Sequence, residues 1–99
     1  MRKIVLLCNA GLSTSMLVDK MRKEAEAIGY ECTINAYPVA EVHEKGKDAD
    51  IILLGPQVRY QAAKVKEVVT CPVESIPPAD YGRMDGKKVL MHAKDVIGD

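Results

Sequence analysis

The chain has 99 residues, of which 47% are hydrophobic and 28% are charged, a composition typical of one globular domain and not of a disordered segment. Its 14 basic and 14 acidic residues give a formal net charge of zero, so the basic excess of most nucleic-acid-binding domains is missing. The chain lacks Trp and Phe and has only four Tyr, which argues against a surface for stacking bases. We therefore expect a single domain over residues 1–99 that does not bind nucleic acid.

The first predicted elements are a buried strand and an amphipathic helix, joined by a loop. Residues 4–7 form a wholly apolar run, as in a strand that is covered on both faces. A loop of small and hydroxyl-bearing residues follows over residues 8–15. Apolar residues then recur at helical spacing from Leu17 to Ile28, and Gly29 is placed to end that helix.

The rest of the chain continues to alternate between strands and helices. Strands are predicted over residues 31–37, 50–54 and 72–76, where apolar or alternating runs are bounded by Pro or Gly. Short helices are predicted over residues 39–45 and, from an apolar stripe, from Val58 to Val69. After a break at Pro77 and Pro78, Asp85 is the predicted N-cap of a last helix that ends near Ile97.

This alternation predicts the fold and the place of its functional site. It implies an α/β domain with a four-stranded parallel sheet and helices on both faces. Right-handed crossovers favour the strand order 2-1-3-4, as in flavodoxin-like and low-molecular-weight-phosphatase-like folds. Ligands bind such sheets beyond the carboxyl ends of the strands, where the winding direction reverses. That point lies between the first and third strands, so the loop at Cys8 is expected beside residues 55–57.

The loop after the first strand has the residue types of an anion site around a nucleophile. Cys8 ends a buried strand, and the loop leads directly into the N-terminus of a helix. The unpaired N–H groups and the macrodipole of that terminus favour an anion, and Gly11 permits dihedrals that turn N–H groups inward. The hydroxyl groups of residues 13–15 can act as further donors. The same field favours the thiolate form of Cys8, which is the nucleophilic form, and a phosphoryl group carried on its sulfur.

Each of these features has a plainer explanation when it stands alone. A free Cys at the end of a strand is often a small buried hydrophobe, Ser-Thr-Ser before a helix is commonly an N-cap, and Gly11 is enough to mark a turn. The combination Cys–x–x–Gly–x–Ser–Thr–Ser at a strand-to-helix junction favours a function. No GxxxxGK[ST] or GxGxxG pattern is present, so a nucleotide site has little support.

Three other functions remain open for such a loop. A cysteine phosphatase or arsenate reductase would have an Arg six positions after the Cys, where this sequence has Thr14, and so lacks the main charge-stabilising group. A flavin-binding module would use a similar loop, but few aromatic residues are present to enclose the flavin ring. A redox role for Cys8 lacks an evident resolving cysteine.

A resemblance to a known family covers essentially the whole chain and rests on three segments, which are CNAGLSTS at 8–15, ADIILLGPQ at 49–57 and YGRMDG at 81–86. With these segments, the sequence resembles enzyme IIB of the lactose/cellobiose class of the bacterial sugar phosphotransferase system. The resemblance implies that Cys8 accepts a phosphoryl group from a phosphohistidine of enzyme IIA. It also implies transfer to a sugar, typically a β-linked disaccharide, held by the membrane-embedded enzyme IIC, without a metal or cofactor at this step.

On this interpretation, we expect the loop to bind the phosphoryl group through residues Asn9, Ala10, Gly11, Leu12, Ser13, Thr14 and Ser15. The rim of the site is expected to include Pro56, Gln57 and Tyr81. Because both partners approach the same sulfur, their footprints should overlap around Ala10, Leu12, Met16 and Pro56. Arg59 and Tyr60 are further candidates for partner recognition. Val58, in contrast, should pack in the core.

The remaining Cys and His residues are expected to have no part in the chemistry. Cys32 and Cys71 do not precede a glycine-containing hydroxyl loop and are predicted to be structural. His43 is predicted to be solvated, and His92 is predicted to lie at the surface or at its boundary. The cysteines form no CxxC pair and have no nearby His for a zinc site. The first apolar run is too short for a signal peptide or a membrane span. We expect a cytoplasmic monomer with free thiols, not inserted in the membrane.

Overall fold

A four-stranded parallel sheet organises the chain in the computed structural model, which describes residues 1–9 and 12–99 and, of Leu12 and Ser13, the backbone only. The strands are β1 (Arg2–Cys8), β2 (Cys32–Pro38), β3 (Ile51–Leu54) and β4 (Val73–Ser75). They are hydrogen-bonded in the order β2–β1–β3–β4, and every neighbouring pair is parallel. The predicted α/β fold and its strand order 2-1-3-4 are confirmed.

Within the described part of the chain, five α-helices connect and cover these strands. They are α1 (Leu12–Ile28), α2 (Val42–Lys45), α3 (Ala62–Val68), α4 (Pro78–Gly82) and α5 (Gly86–Ile97). A 3₁₀ helix at Val39–Glu41 leads into α2, and another at Pro56–Gln61 leads into α3. Helices therefore follow each strand, as the alternating sequence pattern predicted.

The inner strand β1 is buried on both faces because its residues contact a helix layer on each side. It pairs with β2 along its whole length and with β3 from Ile4 to Leu7. Ile4 and Leu6 pack in a core with α1 and α5, while Val5 and Leu7 pack in a second core with α2 and α3. This two-sided burial explains why the strand sequence is apolar throughout and does not alternate.

Two predicted boundaries at the ends of α1 and α5 agree with the structure. Gly29 follows α1 with φ of +69°, the left-handed conformation in which glycine commonly ends a helix. The Asp85 side chain caps α5 by accepting a hydrogen bond of 3.1 Å from the Lys88 N–H. Local sequence signals were sufficient at these two positions.

Two other predictions about local structure are wrong. Residues 12–15 were assigned to the loop after β1, but α1 begins at Leu12, so these residues form its first turn. The segment after Pro77 and Pro78 was taken only as a break, but Pro78 begins the short helix α4. Proline fits the first position of a helix because the N–H that it lacks has no helical partner there.

Among the described residues, no helix has both the length and the apolar character needed to cross a bilayer.

Helix α5 packs directly on the backbone of α1. A Cβ added at Gly86 would lie 2.7 Å from the carbonyl carbon of Lys20 and 2.7 Å from the amide nitrogen of Met21. We expect Gly86→Ala to lower the free energy of unfolding by about 1–3 kcal/mol, because one backbone must move away from the other. Urea denaturation measures this change.

Gly82→Ala is the matched control, because the Cβ that it adds has no atom of the described residues within 4 Å, apart from its chain neighbours and the backbone of its own helix. It should change the free energy of unfolding by less than about 1 kcal/mol. Equal losses of stability in the two variants would contradict close packing between α1 and α5.

At the amino end of the strands, Asp99 is hydrogen-bonded to Arg2 and Tyr30, and we call this group of three side chains the clasp. Arg2 donates to the Asp99 carboxylate through Nε and Nη2, both at 2.8 Å, and the Tyr30 hydroxyl donates at 2.6 Å. The hydrogen bonds from Arg2, and then the one from Tyr30, lower the pKa of Asp99 to about 2. The clasp therefore contributes stability above the ordinary aspartate pKa of about 4, and this stability is lost as the pH falls toward 2.

We expect Asp99→Asn to be less stable than the wild type near neutral pH, and the difference to shrink between about pH 4 and pH 2. Thermal unfolding at several pH values measures this difference. Asp95→Asn, at an exposed carboxyl on α5, is the control and should show no such convergence. A difference between the wild type and Asp99→Asn that stayed constant down to pH 2 would rule out the clasp.

Candidate functional site

Cys8 is fixed at the carboxyl edge of the sheet as the last residue of β1. It stands opposite Pro38 in the register with β2, and the preceding residue, Leu7, accepts a hydrogen bond of 3.0 Å from the Gly55 N–H. The Cys8 thiol donates to the carbonyl oxygen of Tyr37 at an Sγ–O distance of 3.9 Å. Only 4% of the residue is exposed, so the sulfur is held close to the β2 backbone, while the β1 main chain is hydrogen-bonded to the segment after β3.

The segment after β3 lies beside Cys8, as the fold rules predicted. A Cβ at Gly55 would be 3.0 Å from Oε1 of Gln57 and 3.9 Å from the Cβ of Cys8. The Gln57 amide and the Cys8 side chain therefore approach the same point at the rim of the sheet. Pro56 is half-buried and Gln57 is exposed, so both remain available at the surface next to Cys8.

The first turn of α1 follows Cys8 closely in the chain. Ala10 and Gly11, which were expected in the phosphoryl-binding loop, lie outside the described residues, as do the side chains of Leu12 and Ser13. Asn9 is described and is exposed. The helix that starts at Leu12 has 17 residues, and its first N–H groups have no helical acceptors. An electropositive helix terminus therefore begins four residues after the cysteine.

The hydroxyl group of Thr14, which was expected among the phosphoryl-binding groups, lies in the core. Thr14 is fully buried, and its Oγ1 lies 3.0 Å from the hydroxyl oxygen of Tyr81. Tyr81 is itself only 8% exposed, so little of it is available at a site rim. Ser15 lies on the exposed side of α1, where it lines a shallow depression with Asp19 and Arg22.

A cleft of about 610 Å³ opens next to Cys8 on the α2 and α3 side of the sheet. Val42 and Val65 contribute apolar surface, and polar groups come from His43, Gln61 and Lys64. The sequence interpretation missed this cleft. The available signal was topological, because the helices that follow β2 and β3 both start from the edge at which Cys8 lies.

The other two cysteines lie away from this edge. Cys32 begins β2 and Cys71 precedes β4, so both are near the amino ends of the parallel strands, opposite Cys8. Burial raises the pKa of the Cys32 thiol and of the Cys71 thiol, which makes each a poorer nucleophile. All three cysteines are free thiols.

Both histidines are exposed, as predicted. His43 lies at the edge of the cleft, and His92 Nε2 lies 3.2 Å from Oε1 of Glu74. Within residues 1–9 and 12–99, no group of three or more His, Cys, Asp or Glu side chains is arranged to hold a metal ion. Among the described cysteines, Cys8 therefore combines a position at the carboxyl edge of the sheet with a cleft and with a helix that begins four residues later.

Comparison with known proteins gives consistent matches along the chain. The family model for "PTS system, Lactose/Cellobiose specific IIB subunit" matches residues 3–92. An oligo-beta-mannoside-specific EIIB component of the PTS system from Bacillus subtilis (strain 168) is 38% identical over 100 residues, covering 98% of this chain and 97% of its own length. A galactose-specific EIIB component from Lactococcus lactis subsp. cremoris (strain MG1363) is 38% identical over 102 residues, covering 95% of this chain and 94% of its own.

A solved structure agrees with these sequence matches. The solution structure of a cellobiose-specific phosphotransferase IIB component from Borrelia burgdorferi is 37% identical to this chain. It superimposes with a TM-score of 0.80 and covers 97% of this chain and 91% of its own length. The likeness therefore extends over the sheet, both helix layers and the edge that carries Cys8.

Proposed function

The chain belongs to the lactose/cellobiose-specific IIB subunit family of the PTS system, and on that premise we propose that Cys8 carries the phosphoryl group. The observation that supports the proposal is the position of Cys8 at the end of β1, where it lines a surface cleft and precedes the start of α1 by four residues. Cys32 and Cys71 have no such surroundings, and their distance from Cys8 also disfavours a redox pair.

Two in-line transfers make up the proposed reaction. In the first, the Cys8 thiolate attacks the phosphorus of a phosphohistidine on enzyme IIA, so that an S–P bond forms as the N–P bond breaks. In the second, a hydroxyl oxygen of the sugar held by enzyme IIC attacks the same phosphorus and gives up its proton to solvent, and the S–P bond breaks to return the thiolate. Positioning and charge stabilisation dominate the catalysis of such transfers, and both partners would meet this protein in the cytoplasm.

A negative charge on the Cys8 sulfur would favour its rotation away from the Tyr37 carbonyl oxygen and toward the start of α1. The thiol donates to the Tyr37 carbonyl oxygen at 3.9 Å, but a thiolate has no proton to donate and is repelled by that oxygen. The N–H groups at the start of α1 attract it instead. The same N–H groups, with Asn9 and the amide of Gln57, are the proposed donors to the phosphoryl oxygens.

Exposed apolar side chains on the helices that follow β1 and β3 support a surface for the two partners. Met16 is 57% exposed on α1, and Tyr60 is 75% exposed on the 3₁₀ helix after β3. Because each partner must reach the same sulfur and then leave, we propose small, overlapping footprints that include both side chains and Pro56.

The proposed acceptor class is a β-linked disaccharide, and the particular sugar is left open. Two relatives with the same identity of 38% to this chain carry names that refer to oligo-beta-mannoside and to galactose. Overall similarity to this chain therefore does not select between these sugars, which fits a division of labour in which enzyme IIC binds the sugar.

Intact-mass analysis after incubation with phosphorylated enzyme IIA tests the proposal. The wild type should gain one phosphoryl group and Cys8→Ser should gain none, because the sulfur is the acceptor. A variant with Cys32→Ser and Cys71→Ser together is the control and should still gain one group. Phosphorylation of Cys8→Ser, or a phosphoryl group that maps to His43 or His92, would contradict the assignment.

A further inference from the structure

We propose that segment 81–86 is a positioning element for the Cys8 site, in which Tyr81 fixes the first turn of α1 through Thr14. This inference rests on the proposed function of Cys8. Residues 81–86 are one of the three segments on which the family resemblance depends, yet none of them is among the proposed donors to the phosphoryl group. Their contacts with α1 give them a different role.

The first contact is the buried hydrogen bond between Thr14 and Tyr81. Thr14 is the third residue of α1 and lies six positions after Cys8, whereas Tyr81 belongs to α4. The two hydroxyl oxygens are 3.0 Å apart in the core. Because an unpaired buried hydroxyl is costly, this bond holds the first turn of α1 in one position relative to α4.

The second contact is made by Gly86, the first residue of α5, at a position further along α1. The missing side chain of Gly86 lets α5 approach the backbone of Lys20 and Met21, where a Cβ would lie 2.7 Å away. Thr14 and Lys20 are separated by about 9 Å along the helix axis at 1.5 Å per residue. Two contacts at this separation restrict both the translation of α1 along its axis and its rotation.

The residues between Tyr81 and Gly86 form a turn that connects the two contacts. Met84 has φ of +52°, a left-handed conformation that is uncommon outside glycine. The Met84 N–H donates to the Tyr81 carbonyl at 3.0 Å and the Asp85 N–H donates to the Asp80 carbonyl at 2.9 Å, which closes the turn. Asp85 then caps α5. This geometry brings Tyr81 and Gly86 to the same helix, α1.

Movement of α1 would be transmitted directly to the phosphoryl group. The N–H groups proposed to bind that group belong to the turn that Thr14 anchors, and stabilisation by such donors depends on their distance from the developing charge. Tyr81 would not touch the phosphoryl group, so we assign it as a positioning residue and not as the site-rim residue expected from the sequence.

Tyr81→Phe tests the inference, with Tyr30→Phe as the matched control. Each change removes one hydroxyl group, but the Tyr30 hydroxyl bonds Asp99 at the opposite edge of the sheet. We expect Tyr81→Phe to lower kcat for transfer from enzyme IIA at least about fivefold, because small displacements of positioned groups have large effects on rate. It should also change the phosphorus NMR shift of phosphorylated Cys8. Tyr30→Phe should leave both measurements at the wild-type values.

Variants of Thr14 separate positioning from direct contact with the phosphoryl group. Thr14→Val should match Tyr81→Phe, and the double variant should be no slower than either single one, because both changes remove the same bond. Thr14→Ser keeps the hydroxyl group and should transfer faster than Thr14→Val. If Thr14→Val is impaired while Tyr81→Phe is not, Thr14 acts directly and the inference is overturned.

The outcomes distinguish this inference from the proposed function. A wild-type protein that gains no phosphoryl group overturns both. A wild type that is phosphorylated on Cys8, with Tyr81→Phe and Tyr30→Phe equally active and spectroscopically alike, overturns the positioning role alone. Circular dichroism of each variant checks that it is folded. If Tyr81→Phe does not fold, Thr14→Val replaces it in the comparison with Tyr30→Phe, because Thr14→Val removes the same hydrogen bond.

Discussion

The burial of β1 determines where Cys8 can be. Four consecutive residues from Ile4 to Leu7 are inaccessible to solvent, and hydrogen bonds join the strand to β2 on one side and to β3 on the other. Cys8 is the next residue, so its backbone inherits the rigidity of the sheet. Helix α1 then begins four residues after Cys8, so an electropositive terminus follows the cysteine closely in the chain.

The two faces of the sheet serve this edge in different ways. On one face, α4 and α5 hold α1 through the Thr14–Tyr81 hydrogen bond and the close approach at Gly86. On the other face, α2 and α3 leave the cleft that opens next to Cys8. A packed layer thus supports α1 on one face, whereas the other face leaves open space next to Cys8.

Local sequence patterns were enough to predict most of the architecture. The apolar runs of β1 and β3, Gly29 after α1 and the Asp85 cap of α5 each depend on a few neighbouring residues, and all four are confirmed. The nearness of Gly55 to Cys8 was also predicted, because right-handed crossovers leave few strand orders for a chain that alternates between strands and helices.

The site itself was less predictable, because its details depend on tertiary contacts. Thr14 and Tyr81 are 67 residues apart in the chain, and no local pattern says that their hydroxyl groups meet. A run of Ser and Thr is typical of both a loop and the first turn of a helix, and here the buried contact of Thr14 accompanies the helical conformation. The predicted roles of Ala10 and Gly11 lie outside the described residues and stay predictions.

The most direct measurement of the central claim is a comparison of proton–nitrogen correlation spectra before and after phosphorylation. If the phosphoryl group on Cys8 is bound at the start of α1, the largest changes should fall on the backbone amides of residues 9–14, with small changes at Cys32 and Cys71 on the opposite edge. Largest changes around His43, His92 or either of those two cysteines would contradict a phosphoryl group held by that helix terminus.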